Sequence, residues 1–70
     1  MKNLNVQVAS VDDREGLVAE IWHENEMVAE VNAETGKPQI EIYRCQSSGH
    51  WKFDLEEFLE SVLEAKRMLA

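Results

Sequence analysis

Seventy residues make one domain with one modest core, too small for a separate cofactor domain. Fourteen acidic against seven basic side chains give a net charge of −7, which argues against nucleic acid as a direct partner, because phosphate contacts need lysine and arginine. No stretch is apolar over the length needed to cross a bilayer, and the opening residues MKNLNVQVAS lack the apolar core of a signal peptide; with Cys45 as the lone cysteine, a reducing, cytoplasmic setting is expected.

In chain order, residues 3–9 alternate, with Leu4, Val6 and Val8 on one face and Asn3, Asn5 and Gln7 on the other. That is the period of a strand with one wet face. Ser10 to Gly16 is polar and turn-rich, and reads as a loop. Residues 17–23 and 27–33 read as a hairpin about a three-residue turn, Glu24-Asn25-Glu26. In that register Leu17, Ala19, Ile21, Met27, Ala29, Val31 and Ala33 share the core face. Val18, Glu20, Trp22, Val28, Glu30 and Asn32 share the other, with Glu20 opposite Glu30. Glu34 to Lys37 is a turn with Gly36 where positive φ is wanted, and Pro38 suits a strand start. Residues 39–44 alternate again, Ile40 and Ile42 inward, Glu41 and Tyr43 outward. Residues 50–53 suggest a short fifth strand with Trp51 and Phe53 inward.

The last segment, 55–69, repeats apolar residues at helical spacing: Leu55, Phe58, Leu59, Val62, Leu63 and Leu69. Glu56, Glu57, Glu60, Ser61, Glu64 and Arg67 fall on the polar side. Asp54 is placed to cap the helix with Glu57 as capping-box partner, and Phe53 and Phe58 to staple its entry. Such a helix is marginal alone and must lie on the sheet. The expected fold is therefore α+β: an antiparallel meander of four or five strands with one C-terminal helix on one face.

One helix covers one face. The open face then carries Val18, Glu20, Trp22, Val28, Glu30, Glu41 and Tyr43, a mixture of aromatics, valines and carboxylates that suits a protein partner of basic character. The alternative use of the same face is as the interface of a homodimer. Elements of catalysis are sparse. Cys45 and His50 flank one loop, but no third group is in view to orient them. Cys45, His50 and Asp54 are too few for a metal and lack a metal-site spacing. Asp12, Asp13 and Glu15 do not match a calcium loop. The expectation is a protein without cofactor and without enzymatic activity.

The segments Asp13-Arg14-Glu15-Gly16-Leu17, Ile40-Glu41-Ile42-Tyr43 and Trp51-x-Phe53-Asp54-Leu55-x-Glu57-Phe58 give the chain a layout. That layout resembles small bacterial and prophage-encoded proteins with a strand meander and one C-terminal helix. It is also similar to some immunity proteins of bacterial toxin systems. The resemblance implies a bacterial source and a binding role, and it transfers no functional residue. The end of the helix, Glu64-Ala65-Lys66, is similar to HicB-type antitoxins, but their Asp-Leu-Pro-Gly-like signature is missing here.

Overall fold

The computed structural model describes residues 3–10, 16–34 and 36–69. Four strands, β1 (Leu4–Ser10), β2 (Leu17–His23), β3 (Glu26–Asn32) and β4 (Gln39–Ile42), precede one helix, α1 (Leu55–Met68). The strands form one antiparallel sheet in the order β1-β2-β3-β4. The architecture is the α+β meander that the alternating pattern implies. The acidic segment holding Asp12, Asp13 and Glu15 lies outside the described residues.

The core forms between the sheet and α1. Leu4, Ala19, Ile21, Val28, Ala29, Val31 and Ala65 are buried together, with Val6, Trp51, Phe53, Phe58, Val62 and Leu69 packed on them. The helix begins as its sequence requires. Asp54 accepts from the Glu57 amide at 3.1 Å, satisfying one of the free amides of the first turn. Phe53 stacks on Phe58 with ring centroids 5.9 Å apart, closing the staple. The Glu57 carboxylate turns instead to the Asn3 amide at 2.8 Å, which ties the first helical turn to the start of β1.

Three expectations are corrected. The hairpin turn uses two residues, Glu24 and Asn25, with Glu24 at φ +54, so β3 starts at Glu26 and ends at Asn32. Near the turn Trp22 faces Met27, whereas further along Ile21 faces Ala29 and Glu20 faces Glu30. The register shift is a bulge that absorbs Val28 as an extra residue. Val28 therefore leaves the open face and enters the core, 1% exposed, while Met27 takes the open-face position beside Trp22. Second, β4 stops at Ile42, and residues 50–53 form no strand. A final ladder bond, from the Tyr43 amide to the Val28 carbonyl, is followed by a turn in which Gly49 bonds back to Cys45. Trp51 then anchors the returning chain by donating its indole N–H to the Tyr43 carbonyl at 2.7 Å. Aromatic stacking replaces strand pairing: Trp51 lies on Phe53 at 5.3 Å, and His23 meets both rings edge-on.

Third, α1 sits off-centre. It touches β1, β2 and β3, and not β4. Its buried line is Ser61 and Ala65, small residues that let the helix approach the sheet closely, with the Ser61 hydroxyl turned back onto the Phe58 carbonyl. Ser61 was expected on the polar side. Leu55, Leu59 and Leu63, expected in the core, are exposed, as are Ile40, Ile42, Val8 and Leu17.

Candidate functional site

The face of the sheet away from α1 is built from alternate residues of the four strands. Gln7 on β1 faces Glu20 on β2, Glu20 faces Glu30 on β3, and Glu30 faces Glu41 on β4. A row of one amide and three carboxylates thus crosses the sheet. Like charges directly opposite are unfavourable, so the two central carboxylates need donors. Glu20 receives the Gln7 side-chain amide at 3.0 Å and the Trp22 indole N–H at 3.1 Å. Glu30 receives the Tyr43 hydroxyl. Both carboxylates are largely covered, at 9% and 6% exposure, beneath the side chains that bind them. Burial of a charged group without such donors would be costly.

These bonds fix the aromatics. Trp22 on β2 and Tyr43, the residue after β4, are held on one face and line a shallow hollow of about 430 Å³ with Asn25, Glu26, Met27, Arg44 and Gln46. The floor is apolar and aromatic, and Arg44 and Glu26 supply charge at its margin. On its other side Trp22 borders a second depression with Asn5, Gln7 and Asn25. Trp22 is half-buried and Tyr43 and Glu41 are exposed, so this end of the face is accessible. Val18, further along the same face, is fully buried. Of the surface residues expected from sequence, the structure brings together Glu20, Trp22, Glu30 and Tyr43, leaves Glu41 exposed beside Glu30, and removes Val28 to the core. Met27, Arg44 and Gln7 were missed. Met27 is on the hollow because of the bulge, and Arg44 because the chain turns immediately after β4.

No protein-family model matches the chain, and neither a curated protein nor a solved structure matches it. The chemistry of the site therefore rests on its own residues.

The remaining reactive groups lie near the same hairpin turn, around a cavity that shares Asn25 and Glu26 with the hollow. Cys45 is buried in the loop after β4, with its sulfur 3.3 Å from the Ser47 hydroxyl and 3.5 Å from that of Ser48. The Ser47 hydroxyl, then that of Ser48, stabilises the thiolate and outweighs desolvation, bringing the Cys45 pKa from an ordinary 9.0 down to about 7. Cys45, His23 and His50 border one cavity of about 500 Å³. The hydrogen bonds described at the Cys45 sulfur come from the two serines. The His23 ring bonds the Asn3 carbonyl at 3.1 Å and meets the stacked Trp51 and Phe53 rings edge-on. Among the described residues, no three His, Cys, Asp or Glu side chains gather to hold a metal ion. No helix among them is long and apolar enough to cross a membrane.

Proposed function

We propose that this chain is a small non-enzymatic protein-binding module that receives its partner on the open sheet face, at the hollow between Trp22 and Tyr43. The observation that carries this reading is the hydrogen bonding of both aromatics to Glu20 and Glu30. Aromatics held in place lose little entropy on binding and are the commonest anchors of protein interfaces. The net charge of −7 favours a basic partner and speeds its encounter, which fits an immunity- or inhibitor-like role in the cytoplasm. The same face used as a homodimer interface would bring the Glu20, Glu30 and Glu41 rows of two copies together, a charge arrangement that opposes it.

A photo-crosslinking amino acid at Gln46, on the rim of the hollow, would capture the partner for identification, and titration with the purified partner would test the site. Met27→Lys and Trp22→Ala are expected to weaken binding at least about tenfold, roughly the loss of one interface anchor. An unchanged affinity for both variants would refute the reading.

A further inference from the structure

The apolar stripe of α1 and the surface it buries do not coincide. With 3.6 residues per turn, the stripe of Leu55, Leu59, Val62 and Leu63 is centred roughly a third of a turn away from the buried line of Ser61 and Ala65. As a result Leu55 and Leu63 are 68% and 57% exposed, and Leu59 lies between them on the same flank. At Leu55 the flank borders the part of the sheet that α1 does not cover. There Ile40 and Ile42 on β4 also face the helix side, Ile42 61% exposed. Between them runs a cleft of about 250 Å³ lined by Val28, Ile42, Trp51, Phe53, Leu55 and Phe58, all apolar. This surface is separate from the Trp22–Tyr43 hollow, which lies on the other side of the sheet.

We infer that the occupant of this flank is a second copy of the chain, packed α1 against α1 in antiparallel fashion about a two-fold axis midway between Leu59 and Leu63. The charges on the helix select this occupant. Glu56 and Glu60 border the leucines in the first turns, and Lys66 and Arg67 border them in the last. An antiparallel pair places the acidic end of each helix beside the basic end of the other, so the surface is complementary to itself. The leucines at spacings of four form the seam. Ile42 and the apolar cleft lie at its margin and lose exposure in the pair. A helix of this length gives a contact below the usual size of a stable interface, so the association is weak and concentration-dependent.

Sedimentation equilibrium over a wide range of protein concentration tests this. The expected result is a mass rising from 8.1 kDa toward twice that value, and falling back as salt screens the end-to-end charge pairs. Leu59→Lys is expected to remain an 8.1 kDa monomer. Because Leu59 is exposed, its helical circular dichroism should match the wild type at low concentration. Met27→Lys, on the other face, should associate normally. A wild type that stays monomeric throughout, an L59K variant that associates like wild type, or loss of association in M27K alone would each overturn the inference. Saturable capture of an unrelated protein by the flank of a strictly monomeric chain would overturn it as well.

Discussion

Glu20 and Glu30 face one another across two strands, and what makes that tolerable is the supply of donors from Gln7, Trp22 and Tyr43. Tyr43→Phe removes one hydroxyl and its bond to a nearly buried carboxylate. It should lower stability by about 1.5 kcal/mol, read from urea unfolding. Glu20→Gln keeps an acceptor for both donors and removes the like charge, so it should be neutral or stabilising. A Y43F as stable as wild type, or a clearly destabilised E20Q, would overturn this account of the row. Cys45 gives a second test at this scale. Its thiolate is favoured in the folded chain, so the stability it contributes is fully present above pH 9.0 and is lost as pH falls through about 7. Alkylation of the folded protein should show a midpoint near pH 7, moving back toward 9.0 in the Ser47→Ala, Ser48→Ala double variant. A wild-type midpoint near 9.0 would remove the hydroxyl effect.

At the level of elements, the β2–β3 hairpin decides which side chains reach the hollow. A two-residue turn would put Ala29 and Val31 on the wrong face, and the bulge at Val28 restores them to the core beside Ile21 and Ala19. The consequence is an exchange: Val28 inward, Met27 outward. Val28→Lys should therefore cost roughly 3–5 kcal/mol, as expected for an uncompensated buried charge, enough to unfold a domain of this size. Met27→Lys should stay folded, with a thermal midpoint close to the wild type. The opposite ranking in a thermal melt would restore the unbulged hairpin.

The whole molecule leaves apolar surface on both sides of its sheet, and its small core makes that surface matter. If the exposed flank of α1 closes on a second copy, folding and association are linked by mass action. The thermal midpoint of the wild type should then rise with protein concentration, and that of L59K should not. Equal, concentration-independent midpoints would separate the flank from stability. The two faces have different characters. The open face is a hydrogen-bonded, acidic and aromatic surface, and the helix face is a leucine-lined margin.

Much of this was legible in the chain itself. Alternation over residues 3–9, 17–23 and 39–44 specified strands, the last of them two residues too long, and the Asp54 cap with the Phe53–Phe58 staple specified where α1 begins, because these signals act between near neighbours. Glu20 opposite Glu30, and the presence of Trp22 and Tyr43 on one face, followed from the same two-residue period. Three matters belonged to the tertiary structure. The bulge depends on how turn length and core register are reconciled, which no local pattern encodes. The return of Trp51 and Phe53 as an aromatic stack rather than a fifth strand depends on the room left beside β4. The rotation of α1 onto Ser61 and Ala65 depends on how closely a helix can approach this sheet, since small residues permit contact that leucines would hold apart.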